Sequence, residues 1–190
     1  MEIRAALKSE QQAVLDTLAL AFAADPPIRY WWPGSSEYLH WWPRFALAMG
    51  EPAFEMQAVM VTPNFEGVAL WLPPGVESDP AQVAALDMPS DEDTDLIAGD
   101  LRNEMDRFHP ATPHWYLWTL GVDPRCQHRG IGSALLSHTL AHIDQRREIA
   151  YLESSDPKNV PFYERHGFEV LGIIQVHDVP RLTPMVRRPR

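Results

Sequence analysis

The sequence predicts a mixed α/β domain over residues 1–190, and three observations lead to this prediction. Segments with strand-like and helix-like patterns alternate along the chain. Two β-rich runs, residues 54–62 and 68–72, are separated by a five-residue turn-forming loop, which is typical of a hairpin. Later, an apolar run, a glycine-containing loop and an amphipathic segment follow one another over residues 114–147, in the order of a strand, a loop and a helix.

Composition and charge limit the classes of protein that the sequence can specify. An apolar fraction of 45% in 190 residues indicates a globular chain with a sizeable core. The formal net charge of −10 argues against a nucleic-acid partner and is compatible with a cationic substrate. No signal-peptide pattern and no membrane-spanning apolar run are visible, so we expect a cytoplasmic protein without a membrane partner. The single cysteine, Cys126, excludes an internal disulfide and fits a reducing compartment.

The first elements follow from apolar spacing and helix-capping signals. Residues 3–7 are predicted to form an edge strand, and Ser9 with Gln12 resembles a capping box that opens a helix reaching to about residue 24. The sequence Asp25-Pro26-Pro27 is expected to end that helix. The hairpin described above follows at residues 54–72.

An aromatic cluster lies between this helix and the hairpin, and two interpretations are open. The rings could form a helical core or lid that packs on the sheet. They could equally form a wall for an organic acceptor, because ring faces supply contact area and attract cations. The candidate substrate-binding residues are Tyr30, Trp31, Trp41 and Trp71.

The remaining elements are predicted in the same way. Residues 80–88 form a short helix, and Ser90 caps the next one, whose acidic first turn we interpret as a solvated helix start, with no metal site. Gly167 occupies the position after the end of a short helix, where a left-handed backbone is common. The predicted strands and helices of the second half cover residues 115–122, 133–147, 149–153, 159–165, 168–176 and 180–187.

The loop between the strand at 115–122 and the next helix has the properties of a phosphate site. A helix begins with unpaired N–H groups and a partial positive charge, and glycines allow a ligand to approach that backbone. Arg125 and Arg129 add formal charge to the loop. These features together favour the binding of a phosphate or pyrophosphate.

Three kinds of phosphate loop share this outline, and the residues distinguish them. A Walker loop is excluded because the loop contains no lysine. A dinucleotide fingerprint is weakly supported: Leu135 stands where its third glycine is needed, although Glu153 lies about 20 residues further on, as its ribose-binding acid would. The third pattern is Q-x-x-G-x-G, which residues 127–132 match in full.

This third pattern resembles the acyl-CoA pyrophosphate loop of the GNAT superfamily of N-acetyltransferases. A second family pattern, N-x-x-F-Y-x-x-x-G-F, runs from Asn159 to Phe168 at the expected distance. Residues 152–168 are also similar to those of puromycin N-acetyltransferases, and a looser likeness extends over the first half. One departure is His128, which stands where glycine or arginine is common. That position contributes mainly backbone to phosphate binding.

The resemblance implies a fold and a co-substrate. The expected fold is α/β (α+β): a central, mostly antiparallel mixed sheet with helices on both faces, splayed open between two parallel strands where acetyl-CoA binds. No metal is expected. The residues expected to contact acetyl-CoA are Leu120, Gly121, Val122, Gln127, His128, Arg129, Gly130, Ile131, Gly132, Ser133, Asn159, Phe162 and Tyr163.

The resemblance also implies a reaction, in which an acetyl group moves to a primary amine, expected to be that of a small organic molecule, by direct attack in a ternary complex. Two alternatives stay open: a non-catalytic acetyl-CoA-binding module, and an acetyltransferase acting on protein lysines or N-termini. Tyr163 is expected to be the general acid or a packing residue, and Glu153 the general base or a structural acid. Asn159 binds pantetheine or caps its helix. A homodimer also stays open.

Overall fold

Seven strands form one sheet in the computed structural model, which describes residues 1–189. The order across the sheet is β1-β2-β3-β4-β5-β7-β6. The strands are β1 (Arg4–Ala5), β2 (Val59–Val61), β3 (Gly67–Leu72), β4 (His114–Val122), β5 (Ile149–Ser154), β6 (Glu169–Val170) and β7 (Thr183–Arg187). The helices are α1 (Gln11–Ala21), α2 (Pro26–Trp31), α3 (Ser35–Glu55), α4 (Pro80–Ala84), α5 (Glu92–Asp106), α6 (Ile131–Gln145) and α7 (Val160–Arg165).

The sheet is mostly antiparallel. Every neighbouring pair of these strands runs antiparallel except β4 and β5, which run parallel and are connected through α6. This arrangement confirms the predicted fold class. The early hairpin is β2 and β3, which pair from Val59↔Leu70 to Val61↔Val68.

Helices cover both faces of the sheet, and two glycines show how closely they pack. A Cβ atom at Gly121 of β4 would lie 2.9 Å from the Cβ of Ala21, so α1 lies directly against the strand. A Cβ atom at Gly67 of β3 would lie 2.5 Å from Cγ2 of Ile131, so α6 lies equally close on the other face. Larger residues would push these helices off the sheet.

The N-terminal region differs from the predictions in its caps. The N–H of Leu7 donates to Oε2 of Glu10 at 2.8 Å, so the reciprocal bond of the first turn does not involve Ser9 and Gln12. Helix α1 ends at Ala21, and Asp25 does not terminate it. Instead, the carboxylate of Asp25 accepts a hydrogen bond from the N–H of Ile28 at 3.1 Å and so caps α2. The prolines that follow Asp25 do not prevent this, because proline is tolerated in the first turn of a helix.

Three other elements also differ from the predictions, in their boundaries or their caps. The residues predicted as the start of the first hairpin strand end α3, and that strand is only Val59–Val61. Helix α5 is capped by Asp91, whose carboxylate accepts from the N–H of Thr94 at 2.8 Å, and Ser90 makes no such bond. The strand predicted for residues 168–176 is reduced to β6, with one isolated bridge between Ile174 and Leu182. No helix within residues 1–189 is long and apolar enough to cross a membrane.

Candidate active site

The parallel strands β4 and β5 separate part of the way along their length. They pair at three positions, the last of which joins Tyr116 to Tyr151. Beyond that point β4 continues to Val122 paired only with β3, and β5 continues to Ser154 paired only with β7. The edges of the two strands that face each other are therefore open, which is the splay that the resemblance predicted.

A β-bulge in β4 lies at the start of this opening. Leu70 is paired with Thr119 and its neighbour Trp71 with Leu117, so Trp118 is an extra residue in β4. A bulge bends its strand and increases the local twist, which accounts for the departure of β4 from β5. Trp118 is held in place by Trp42 of α3, whose ring stacks on it with centroids 6.0 Å apart.

The loop after β4 leads into α6 through two left-handed residues, His128 (φ 61°) and Gly130 (φ 81°). Gly130 is the N-cap of α6 and provides no side chain to accept hydrogen bonds from the first turn. The first intrahelical bond of α6 runs from the N–H of Ala134 to the carbonyl of Gly130, at 2.9 Å. The N–H groups of residues 131–133 are therefore available to an anion, as a helix start allows.

Two polar side chains organise the loop. Asp123 is buried and accepts from the N–H of Arg125 at 2.9 Å, and its Oδ2 lies 2.8 Å from Nη2 of Arg125. Hydrogen bonding to Arg125 lowers the pKa of Asp123. The charge of Arg125 is therefore already paired, whereas Arg129 is exposed. Nε2 of Gln127 donates to the carbonyl of Val122 at 3.4 Å, which ties the loop to the end of β4.

Helix α7 places Phe162 and Tyr163 beside the same loop. The ring of Phe162 packs against Gly132, where an added Cβ would lie 3.5 Å from Cζ. Tyr163 is half-buried and packs edge-on against Phe162, with ring centroids 5.1 Å apart. Burial, and secondarily the charge of Asp25, raise the pKa of Tyr163, so its phenol keeps its proton at neutral pH. Gly167, at φ 88°, ends the helix as the sequence predicts.

Asn159 precedes α7 but does not cap it. Its side chain is exposed and makes no cap hydrogen bond. The preceding turn is instead capped by Asp156, whose carboxylate accepts from the N–H of Lys158 at 2.9 Å. No hydrogen bond therefore supports the interpretation of Asn159 as a helix cap.

Glu153 lies on β5 two residues beyond the last pair with β4, at the mouth of the opening. Its side chain is only 4% exposed, and its Oε1 lies 3.2 Å from Nε2 of His109, in the segment between α5 and β4. The rings of Tyr116 and Tyr151 lie on the same face of the sheet, with centroids 5.9 Å apart. Burial first, and then the charge of Glu153, raise the pKa of both phenols.

Asp25 connects the N-terminal helices to the end of β5. Its Oδ2 accepts a hydrogen bond from the hydroxyl of Ser155 while its other oxygen caps α2. Burial raises its pKa, against the lowering effect of these hydrogen bonds. Sequence reasoning missed Asp25 and Ser155 as site residues, and it also missed His109. The two histidines that flank residues 110–113 were the available signal for His109.

The four candidate acceptor residues do not form one surface. Tyr30 and Trp31 of α2 pack edge-to-face with centroids 5.2 Å apart, and the Tyr30 hydroxyl donates to Asp178 at 2.8 Å. Trp41 is half-buried on α3 with its ring against His40. Trp71 is fully buried in the core, edge-to-face with Trp115 on the α6 side of the sheet, so it has no surface to offer an acceptor. Trp71 is therefore a core residue and not a substrate-binding residue.

Three rings of the aromatic cluster lie in the core or pack against it: Trp32, Tyr38 and Trp42. The side chain of Trp42 is 1% exposed and contacts Phe22, Trp32, Phe45 and Trp118 at centroid distances of 5.1–6.4 Å. This group fixes α3 on the sheet. The core interpretation therefore applies to Trp42, and the wall interpretation stays a prediction for Tyr30, Trp31 and Trp41.

Comparison with known proteins agrees with this geometry. Residues 90–168 match the model of the acetyltransferase (GNAT) family. A mycothiol acetyltransferase from Saccharomonospora viridis is 32% identical over a segment that covers 34% of this chain and 24% of the relative. A second mycothiol acetyltransferase, from Propionibacterium freudenreichii, is 31% identical, and the matched segment covers 28% of that relative. The match therefore spans only about a quarter of the length of these curated relatives.

Solved structures extend the likeness to the whole chain. A Corynebacterium glutamicum protein described as histone acetyltransferase HPA2 and related acetyltransferase is 29% identical, with 99% of this chain and 96% of that one covered and a TM-score of 0.65. A mosquito arylalkylamine N-acetyltransferase like 5b shares the fold at 18% identity, with coverages of 98% and 99% and a TM-score of 0.67. The loop motif, the parted strands and the match of residues 90–168 agree with the GNAT acetyltransferase family, and the whole chain is similar to solved acetyltransferases.

Proposed function

We propose that this protein transfers the acetyl group of acetyl-CoA to the primary amine of a small organic molecule, by direct attack in a ternary complex. The observation that carries the proposal is the separation of β4 and β5 beside the uncapped start of α6. An open strand edge can pair with an extended, amide-containing chain, and a helix start can hold a pyrophosphate. Acetyl-CoA carries both groups in one molecule.

The residues present fit this co-substrate. The backbone of Leu120 and Val122 would pair with the pantetheine arm, and the N–H groups of residues 131–133 would bind the pyrophosphate. Arg129 would add charge at the exposed side of the loop. Asn159, whose side chain makes no cap hydrogen bond in the fold, is free to bond an amide of the pantetheine. The bound thioester supplies an activated acyl group, and the protein supplies the base, the acid and the geometry.

The proposed proton transfers assign one role to each of two side chains. An amine whose pKa is near 10 is mostly protonated at neutral pH, so Glu153 first removes one proton from the ammonium group. The nitrogen then attacks the thioester carbon, the C–N bond forms, and the C–S bond breaks with its electron pair moving to sulfur. Tyr163 donates its proton to the thiolate and recovers one from the new amide nitrogen. In total, each acetyl transfer releases one proton, which comes from the ammonium group.

The acceptor side supports a cationic small molecule. Glu153 and Asp25 bring two carboxyl groups to the side of the sheet where α2 lies. The rings of Tyr30 and Trp31 stand on α2 itself, and aromatic faces attract ammonium groups. A protein acceptor is the second candidate, because the Corynebacterium relative, similar along the whole chain, is described as a histone acetyltransferase and related acetyltransferase.

Two measurements test this proposal. Calorimetry should show binding of acetyl-CoA with an affinity well above that for dephosphorylated pantetheine, and absence of acetyl-CoA binding would overturn the proposal. Thiol release from acetyl-CoA should then be followed with 2-phenylethylamine, 1,4-diaminobutane and an N-terminally blocked lysine peptide. Turnover of the peptide alone would indicate a protein acceptor. Acetyl-CoA binding without thiol release from any amine would indicate a non-catalytic binding module.

A further inference from the structure

We propose that Tyr116 and Tyr151 hold the carboxylate of Glu153 ionised and directed into the opening between β4 and β5, as positioning residues for the catalytic base. This inference rests on the proposed function and deepens it, because an ionised base selects acceptors that arrive as ammonium ions. Both tyrosines lie outside the two family patterns at residues 127–132 and 159–168.

The register of the sheet brings the three side chains together at the point where the strands part. Tyr116 and Tyr151 are opposite each other in the last pair of the parallel ladder. Glu153 follows two residues later on β5, and alternate residues of a strand share one face of the sheet. The backbone of Glu153 is fixed at the other edge of β5, where it pairs with Pro184 of β7. The carboxylate is therefore carried by a rigid backbone on the face that holds the two phenols.

The two phenols are the hydrogen-bond partners of this carboxylate. Burial first, then the charge of Glu153 and then hydrogen bonding to Glu153 raise the pKa of both tyrosines. Both phenols therefore keep their protons at neutral pH, and a protonated phenol donates to a carboxylate. Oε1 of Glu153 and the hydroxyl of Tyr151 are buried and have no other hydrogen-bond partner within residues 1–189.

Donors of this kind are what a buried carboxylate needs in order to stay charged. The side chain of Glu153 is only 4% exposed. Burial disfavours the charged form of a carboxyl group, whereas hydrogen bonds to that form favour it, and bonds to a charged acceptor are stronger than neutral ones. A carboxylate has about four acceptor positions, so two phenols leave room for the proton of a substrate.

The nearest imidazole does not take the place of the phenols. Nε2 of His109 lies 3.2 Å from Oε1 of Glu153, but without the geometry of a hydrogen bond. The ring of His109 packs instead against the rings of Tyr116 and Tyr151, at centroid distances of 4.9 and 4.3 Å. His109 therefore restricts the movement of both phenols from the side opposite the strands.

Two more titratable groups face this cluster from neighbouring elements. His114, the first residue of β4, lies with its Nε2 3.2 Å from Nδ1 of His109, and burial lowers the pKa of His114, which keeps its ring neutral at pH 7. Asp106, the last residue of α5, places a negative charge near Tyr151 and raises the pKa of that phenol further. Neither group donates to Glu153, so the two phenols remain its donors within the described chain.

An ionised Glu153 determines the kind of amine that can bind productively. A carboxylate that is largely removed from water attracts an ammonium group and can then accept its proton. Alkylamines have a pKa of about 10 and arrive as cations at neutral pH. An arylamine is neutral at that pH and gains no such attraction. The substrate class is therefore an aliphatic primary amine.

The proton taken from the substrate leaves by the route through which the substrate enters. It moves from the ammonium nitrogen to an oxygen of Glu153, and the freed lone pair of nitrogen then forms the C–N bond. Because Glu153 lies at the mouth of the opening, its proton passes to water once the amide product has left. The phenols neither gain nor lose a proton in this cycle, so they hold the carboxylate again for the next turnover.

The first test needs no acceptor. The chain has five tyrosines, so protein labelled with ¹³C at the hydroxyl-bearing ring carbon gives at most five signals, which single Tyr→Phe variants assign. At neutral pH the signals of Tyr116 and Tyr151 should both move in Glu153→Gln, because a neutral amide replaces a charged acceptor. The signal of Tyr38, whose hydroxyl donates to the carbonyl of Ala19, should stay in place. Unchanged signals of Tyr116 and Tyr151 would overturn the proposal.

The second test uses activity and pH. For the most active amine of the panel above, Tyr116→Phe and Tyr151→Phe should each shift the acid side of the kcat/KM profile upward by about one pH unit, because the carboxylate loses a donor. Well below the midpoints this shift is about a tenfold loss, and the deficit should vanish as the pH rises. The matched control Tyr38→Phe should keep the wild-type profile. A deficit that is the same at every pH would indicate lost packing alone and would overturn the proposal.

The third test addresses the charge of the acceptor. Glu153→Gln should lower the acetylation of 2-phenylethylamine more than that of aniline, because aniline arrives without the extra proton. Equal losses with both amines would contradict the selection of ammonium ions.

Thermal melting and acetyl-CoA titration of each variant show whether the fold and the donor site are intact. If a Tyr→Phe variant does not fold, the ring-carbon signals decide, because Glu153→Gln leaves both tyrosines in place. Failure of the proposed function is seen separately, as wild-type protein that does not bind acetyl-CoA or does not acetylate any amine.

Discussion

The two sides of the opening between β4 and β5 are built in different ways. The proposed acetyl-CoA side is mostly one continuous piece of chain, from the end of β4 to the first turn of α6, and its proposed binding groups are backbone amides. Asn159, just before α7, is the side-chain contact proposed on this side. The other side is assembled from side chains of separate segments: Asp25, His109, His114 and Glu153. Backbone amides tolerate many side chains, whereas a side-chain cluster depends on each residue identity. Variants on the two sides should therefore lose activity in different ways.

Tyr163→Phe should have the largest effect, because it keeps the ring and removes the proposed proton donor. We expect turnover to fall by about 10²- to 10⁴-fold with acetyl-CoA affinity unchanged. Tyr38→Phe is the matched control, since the hydroxyl of Tyr38 donates to the carbonyl of Ala19 at 2.6 Å in the fold. It should lower the melting temperature and leave turnover intact. Wild-type turnover in Tyr163→Phe would reduce Tyr163 to a packing residue.

Gly130→Ala should weaken the donor side alone. The space around an added Cβ is open, but the left-handed φ of 81° disfavours alanine by about 1–2 kcal/mol. If the loop relaxes to escape this strain, the binding-competent fraction and the apparent acetyl-CoA affinity fall together, by about 5- to 30-fold. Gly75→Ala, at φ 78° and also in open space, carries the same strain far from the loop. Equal acetyl-CoA titrations of the two variants would contradict the role of Gly130.

Asn159→Ala should have a smaller effect on the same side. Loss of one hydrogen bond to the pantetheine should weaken the binding free energy of acetyl-CoA by a net of about 0.5–1.5 kcal/mol. The melting temperature should not change, because the side chain makes no cap bond. Both quantities can be read from one preparation by titration and thermal melting. A lower melting temperature with unchanged acetyl-CoA affinity would return Asn159 to a capping role.

Glu10→Gln should affect neither side of the opening between β4 and β5, and it tests a contact that contributes only to the stability of the fold. Hydrogen bonding to Arg4, and then to the N–H of Leu7, lowers the pKa of Glu10 from 4.5 to about 2. A depressed folded-state pKa stabilises the protein above pH 4.5, and this contribution is lost as the pH falls toward 2. The difference in melting temperature between wild type and Glu10→Gln should therefore shrink over that interval. A difference that is constant with pH would mean that the charge of Glu10 does not stabilise the fold.

Much of the fold was predictable because its signals are local. The residues of β4, the glycine loop and α6 follow one another with caps and apolar spacing that a short window contains. Gly167 was placed correctly for the same reason, since a left-handed residue after a helix is a property of a few consecutive residues. Errors were concentrated where a local signal has two meanings, as with Asp25-Pro26, which can follow one helix or begin another.

The sequence by itself therefore determined the strand–loop–helix unit, because that unit depends on the spacing of neighbouring residues. The motifs in and after it carried the resemblance that implied the mostly antiparallel sheet. Only the tertiary structure decided that Trp71 is a core residue, that Trp118 is an extra residue in β4, and that His109 meets Glu153. The physical reason is that sheet register and strand order bring together residues 44 positions apart, as His109 and Glu153 are. Burial then gives these contacts their electrostatic strength, and burial is a property of the whole packed chain.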